Sequence, residues 1–416
     1  MDFLAGVFNY EENVSISGLT DELNIFYILE KYKNTNENIL VLTSNIYEAN
    51  KTYERLSLYT TEVLLFPMDD FIPSVALAIS PDFKIKRLEV LEKLKSQKRF
   101  IVVTDLMGYL RFLPNYSNKA DLEKKISVGN EINRQKLIEL LEKYGYSKDS
   151  LVTSSGEYAV RGFIIDVFLI EEEHPVRIEF FDNKIESIRY YDEDTQLSKQ
   201  EIKSIILKPF QEIKSANPSS LFEWMRDPLL IFVNYNQIKA VNEKLLLEIF
   251  AYKQKNNLKI KYMFEFSDIK YNNCIVLNTF EDNNLLSLKT IKYDSKKINN
   301  FNMDLKLLKK FVEQKIVDGN KIYFCLPKEK QCQEIKLLFK NLGNINFLNQ
   351  EINEGFIINN NVVISDHDIE KVKNYKIKYL NTYKFGKKIR GFEEIKTGDF
   401  IVHSVYGIGM YNGVVT

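Results

Sequence analysis

The sequence lacks a charge surplus, long apolar runs, a cysteine framework and clustered histidines, and each absence removes a class of function. Its 57 Lys and Arg are matched by 57 Asp and Glu. A dedicated nucleic-acid binder needs cations in excess to displace the counterions of the phosphates, so that class is disfavoured, although a local basic patch is not. No stretch approaches the about 18 apolar residues of a membrane-spanning helix. Met1–Tyr10 has no basic segment followed by an apolar one, so no secretory signal is read there, and a cytoplasmic protein is expected. Cys274, Cys325 and Cys332 are too few and too scattered for disulfides, and the spacing of the last two fits no zinc knuckle. Buried free thiols are the expectation.

Catalytic patterns are equally scarce. His174, His367 and His403 are far apart, and none begins a metal-binding or nucleophile–base motif. Asp366-His367-Asp368 is read as a surface loop, because adjacent residues on a strand point to opposite faces. Gly407-Ile-Gly409 lacks the third glycine and the following helix of a dinucleotide loop, and reads as a turn. A phosphate-binding loop needs several glycines and a Lys-Ser/Thr pair, whose amides and cation hold the phosphates. The best-placed segment, Ser15-Ile-Ser-Gly-Leu-Thr-Asp-Glu-Leu23, has Gly18 and Thr20 but no lysine, and sets Asp21 and Glu22 where the anion would lie. It is read as a degenerate, non-functional nucleotide loop. The chain by itself is not expected to be an enzyme, and no metal or cofactor is expected in it.

What is present is a multidomain α/β pattern. At roughly 100–200 residues per domain, 416 residues make about two to four domains. Residues 1–117 alternate apolar strand runs, at 38–43, 62–67 and 100–104, with amphipathic helices, as in a parallel sheet. One helix starts at Ser80-Pro81-Asp82 with good capping chemistry and carries the stripe Ile85, Leu88, Leu91 and Leu94. Residues 118–208 turn to strands, read at 158–169, 176–181 and 185–191 after one helix at 134–144, and suggest an inserted α+β domain. Residues 209–297 return to mixed elements that complete the first unit, and 299–370 form a further small α/β domain. Residues 371–395 read as a linker. Residues 396–416 hold two strand runs about a glycine turn, short of the roughly five strands of a small barrel, so a module cut short is expected.

One strand stands out. In Val176-Arg-Ile-Glu-Phe-Phe181 alternation puts Val176, Ile178 and Phe180 on one face and Arg177, Glu179 and Phe181 on the other. An Arg beside a Phe on an outer face is a pairing enriched at interfaces, unless another element covers it. Alternation alone does not place Arg161, and Gly162 suggests a bulge or a close backbone approach.

These same residues carry a family resemblance. Gly156-Glu-Tyr-Ala-Val-Arg-Gly-Phe-Ile-Ile-Asp-Val-Phe168, with Arg177-Ile-Glu-Phe-Phe-Asp-Asn-Lys-Ile-Glu-Ser-Ile-Arg189 and Asp192-Glu-Asp-Thr-Gln196, resembles the bacterial transcription-repair coupling factor family (Mfd). The excision-repair protein UvrB shares the pattern, in the domain that binds UvrA. Gly398-Asp-Phe-Ile-Val-His-Ser-Val-Tyr-Gly-Ile-Gly-Met-Tyr411 resembles the start of the family's CarD-like RNA-polymerase-interacting domain, which UvrB lacks.

The resemblance implies a UvrB-like, helicase-type first domain with a degenerate nucleotide loop. It implies a UvrA-binding insert with Arg161, Arg177 and Phe181 at its contact positions. It also implies a partial polymerase-binding module containing His403, Tyr406, Gly407 and Gly409. UvrA would be the partner of this chain, and the RNA polymerase β subunit and double-stranded DNA partners of the full-length protein. ATP and Mg would belong to translocase domains beyond residue 416. The alternative is a UvrB-type, nucleotide-dependent DNA-binding enzyme.

Overall fold

The computed structural model describes residues 4, 6–68, 81–96, 98–115, 123–170, 172–210, 217–257, 261, 263–280, 288–340, 342–370, 400–403 and 407–410. Ser80, Tyr406 and the expected linker 371–395 lie outside them.

The chain begins with alternating strands and helices: β1 (Val14–Ser17), α1 (Asp21–Asn34), β2 (Ile39–Thr43), α2 (Ile46–Ser57), β3 (Val63–Phe66), α3 (Pro81–Leu94), β4 (Ile101–Asp105) and α4 (Leu106–Tyr109). Next come β5 (Lys124–Ser127), α5 (Arg134–Lys143), β6 (Ser147–Lys148), β7 (Glu157–Arg161), β8 (Ile164–Val167), β9 (Val176–Phe181), β10 (Lys184–Tyr191), β11 (Ser198–Glu201) and β12 (Ser204–Leu207). Mixed elements return with α6 (Leu221–Trp224), β13 (Leu229–Val233), α7 (Tyr235–Lys255), β14 (Cys274–Asn278) and β15 (Lys289–Lys292). There follow β16 (Ser295–Lys297), α8 (Leu305–Val317), β17 (Lys321–Cys325), α9 (Glu329–Leu338), β18 (Ile345–Leu348), β19 (Phe356–Ile358), β20 (Asn361–Ser365) and α10 (Asp366–Ile369). Last are β21 (Phe400–His403) and β22 (Gly407–Met410).

The first and third groups share one parallel seven-stranded sheet, ordered β15-β1-β14-β13-β2-β4-β3. Its central strands are built on apolar runs and buried on both faces, as a helix-covered parallel sheet requires. Residues 124–207 interrupt this sheet and form their own, ordered β11-β10-β9-β8-β7-β6, with β5 and β12 paired beside it. Helix α3 joins the two cores: Ile85 packs with the six-stranded sheet, while Val90, Leu91 and Leu94 pack with the seven-stranded one. The reading of 158–169 as one strand needs correction. Arg161 and Ile164 pair across a hairpin whose turn is Gly162-Phe163, with Gly162 at φ +55°. A Cβ on Gly162 would touch nothing, so the glycine serves the turn's left-handed backbone and no close approach.

Residues 295–370 build a five-stranded sheet, ordered β16-β19-β20-β17-β18. Its first strand precedes residue 299, where this unit is expected from the sequence to begin. Cys325, Ile352, Phe356, Ile358 and Val363 share a core with Phe26, Tyr27 and Leu29 of α1. Cys274 and Cys325 are buried as expected, and burial pushes their thiols up to about 11 and about 12, whereas Cys332 is only half-buried. Asp366-His367-Asp368 is no surface loop: it opens α10, where Ser365 and Asp368 cap each other reciprocally and both aspartates are buried. Among the described residues no three metal-ligating side chains form a cluster.

Burial raises the Asp368 carboxyl to about 6 even though Ser365 donates to it from its amide (2.8 Å) and hydroxyl (2.7 Å). The folded state therefore holds this proton more tightly than the unfolded chain, and the group's contribution to stability falls as pH rises from about 4 to about 6. Lowering the pH from 7 to 5 should stabilise the wild type relative to Asp368→Asn by roughly 1 kcal/mol, read from urea unfolding at each pH. A difference that does not change with pH would refute the assignment.

Candidate functional site

The six-stranded sheet has two unlike faces. Val176, Ile178 and Phe180 of β9 point into a core with Tyr158, Ile165, Ile185 and Ile188, closed by Leu137 and Leu141 of α5. The other face carries Arg177, Glu179 and Phe181. The register pairs Arg161 with Ile164, Ile164 with Glu179, and Asp166 with Arg177. Arg161, Arg177 and Phe181 therefore all belong to that outer face, which alternation within β7 alone does not settle. Strand spacing puts the Cα of Arg161 about 12 Å from those of Arg177 and Phe181.

The three residues differ in environment. Phe181 is 75% exposed at the end of β9, ahead of Asp182, which sits at φ +56° in the turn to β10. Arg161 is exposed and donates to the Ser150 carbonyl at 2.7 Å. Arg177 is not free. Its Nε and Nη2 donate to the two carboxylate oxygens of Asp166 at 2.7 and 2.9 Å, Nη2 also reaches Gln196 at 3.3 Å, and the guanidinium lies 4.4 Å from the Tyr191 ring centre. The Arg177 and Asp166 side chains are 13% and 2% exposed, so this forked pair is mostly desolvated. The Asp166 hydrogen bonds raise the already high pKa of the guanidinium. Beside it, Arg189 and Ser187 donate to Glu179, and the Arg189 bonds hold that carboxyl below its usual range. The centre of the face is a knitted ion-pair lattice, and Phe181, Arg161 and Lys184, which pairs opposite Phe181, are exposed toward one end.

Sequence reasoning missed Phe163, which is 64% exposed in the β7–β8 turn, and the lattice partners Asp166, Gln196 and Tyr191. Reading Gly162-Phe163 as hairpin punctuation would have found the first. The lattice needed the strand register.

The degenerate loop lies where β1 turns into α1. Gly18, at φ +78°, is capped by the chain itself: a Cβ there would come 1.9 Å from the Tyr293 carbonyl oxygen. The Ser295 hydroxyl donates to the Gly18 carbonyl (2.7 Å) and accepts from the Thr20 amide (3.0 Å), while the Thr20 side chain accepts from the Leu23 amide. Asp21 pairs with Lys51 at 2.8 Å, and that bond with its charge outweighs burial to lower the Asp21 carboxyl. Glu22 is fully buried, which raises its carboxyl, and it accepts from the Tyr59 hydroxyl at 2.8 Å. Polar groups at this helix start are thus engaged by residues 293–295, Lys51 and Tyr59.

Phe400–His403 and Gly407–Met410 pair antiparallel, with His403 opposite Gly407 and Ile401 opposite Gly409. No other described strand joins them.

The sequence model of the UvrB interaction domain matches residues 125–212, the stretch that contains the six-stranded sheet. A transcription-repair-coupling factor of Staphylococcus aureus (strain MSSA476) is 22% identical over 495 aligned positions, covering 98% of this chain and 42% of the relative. One of Bacillus subtilis (strain 168) is 32% identical over 200 residues, 48% of this chain and 17% of the relative. The chain spans about two fifths of the length of the first of these. From end to end it is similar to the transcription-repair-coupling factors, and within it residues 125–212 are similar to the UvrB interaction domain.

Proposed function

We propose that this chain is the adaptor region of a transcription-repair coupling factor and that the outer face of its six-stranded sheet recruits UvrA. The observation that carries the reading is Phe181, a large aromatic left 75% exposed on the same sheet face as Arg161, within the stretch that matches the UvrB interaction domain. An exposed aromatic that shares a face with arginine is the composition of an interface anchor.

In this reading the chain performs no catalysis and holds no cofactor. The ATP- and Mg-dependent translocase, and with it the grip on double-stranded DNA, belongs to the rest of the full-length protein. The paired strands β21 and β22 would begin the module that meets the RNA polymerase β subunit, so that a polymerase stalled at damage is tied to UvrA. The self-capped loop at Gly18 supports this adaptor over a UvrB-type nucleotide-dependent enzyme, because the Tyr293 carbonyl stands against the glycine. No helix among the described residues is long and apolar enough to cross a membrane.

The test is binding of purified UvrA. Phe181→Ala should weaken binding about thirtyfold, equivalent to about 2 kcal/mol, while its stability stays within about 0.5 kcal/mol of wild type because the ring is exposed. Wild-type affinity for this variant would refute the proposed face.

A further inference from the structure

We infer that the UvrA contact wraps around the end of the six-stranded sheet, with Phe163 as a second aromatic anchor on the side opposite Phe181. This inference rests on the recruiting function just proposed and extends it to a residue outside the outer face.

Phe163 is 64% exposed, and its carbonyl accepts a hydrogen bond from the Phe180 amide at 2.9 Å, so it sits directly across from β9, one position from Phe181. Alternation along β8 assigns Phe163 to the same side as Ile165 and Phe180, the side covered by α5, whereas Phe181 belongs to the outer face. The two rings therefore straddle one edge of the sheet.

The turn is held firmly. Arg134, the first residue of α5, donates to the Gly162 carbonyl, and its guanidinium lies 5.8 Å from the Phe163 ring centre. A ring with two rotatable bonds on a braced turn loses little entropy when a partner covers it. An aromatic ring left mostly exposed on a braced turn is what a docking surface presents.

Arg161 and Arg134 flank the edge and add positive charge on both sides. The partner surface that fits this edge is an apolar cleft wide enough for two aromatic rings, rimmed by carboxylates. Contact on the outer face alone would leave Phe163 in water, while a wrapped contact buries both rings and meets both arginines.

Equilibrium binding of UvrA to five forms of the full chain tests this: wild type, Phe163→Ala, Phe163→Leu, Phe181→Ala, and Phe280→Ala as a control at an 82% exposed ring on the seven-stranded unit. We expect about a tenfold weaker Kd for Phe163→Ala and none for Phe280→Ala, with Phe163→Leu recovering part of the loss. Wild-type affinity for Phe163→Ala beside a weakened Phe181→Ala overturns the wrapped contact and leaves the outer-face reading standing. Wild-type affinity for both overturns both. Equal weakening by Phe280→Ala also overturns it, because the effect would not then be local to the edge.

Discussion

Replacing Arg177 with alanine should lower the stability of the six-stranded unit by about 3 kcal/mol or more, measured as a shift of its urea midpoint. The cause is not the arginine's own worth but what it leaves behind. Asp166 is 1% exposed and its carboxylate takes two hydrogen bonds from Arg177, so truncation strands a charge in a place water reaches poorly. The Tyr191 ring and the Gln196 side chain lose their contact at the same time. Removing both charges, as in Asp166→Leu with Arg177→Leu, should recover much of the loss, because no unpaired ion stays buried. Wild-type unfolding of Arg177→Ala would show that the pair is not holding the face. Loss of UvrA binding by this variant therefore cannot be assigned to a lost intermolecular contact unless its folding is measured as well. Phe181 carries no such ambiguity.

Substituting Gly18 with alanine should cost roughly 3–5 kcal/mol. Part is the left-handed backbone at φ +78°, worth about 1 kcal/mol or more for a residue with a Cβ. The larger part is the collision with the Tyr293 carbonyl, a backbone atom that can yield only by drawing 293–295 away. That movement breaks the bonds from Tyr293 N to the Ser17 carbonyl, from the Ser295 hydroxyl to the Gly18 carbonyl and from Thr20 N to the Ser295 hydroxyl, each worth about 1 kcal/mol. Amide exchange should accelerate first in β15, the edge strand beside β1. Unchanged stability with unchanged β15 protection would mean that the loop is looser than this packing implies. In a loop that cradles phosphate, a glycine gives a ligand room to approach the backbone. Here the chain's own carbonyl takes that room.

Strands β2, β3 and β4 were legible because each is built on a short apolar run, and burial on both faces demands that composition, whereas β1 and β15 carry polar residues among apolar ones and were not. Helix α3 was legible from its stripe, in which Ile85, Leu91 and Leu94 are buried. The β9 face was legible for the same kind of reason: Arg177, Glu179 and Phe181 alternate with Val176, Ile178 and Phe180, and a strand turns alternation into two faces. The β7–β8 hairpin was not. Ile164 and Ile165 continue the apolar character of Val160 across Gly162, so composition suggests one strand where a left-handed glycine makes two. The buried turn at Asp366–Asp368 was missed because adjacent acids read as a surface feature, whereas reciprocal capping with Ser365 satisfies them out of water.

By itself the sequence determined the apolar strands at the centre of the parallel sheet, that Arg177 and Phe181 share a face, and that the loop after β1 lacks a phosphate-binding lysine. These follow from local spacing and side-chain chemistry, which act within a few residues. Tertiary structure decided what distant segments do to one another. It joined strands at 14–105 with those at 229–292 in one sheet, set Arg161 on the face of Arg177 through the β7–β8–β9 register, and turned Arg177 from a free contact into half of a buried pair. It also brought Tyr293 against Gly18 across 275 residues of chain. Such pairings depend on hydrogen bonds and packing between surfaces far apart in sequence, and no local spacing encodes them.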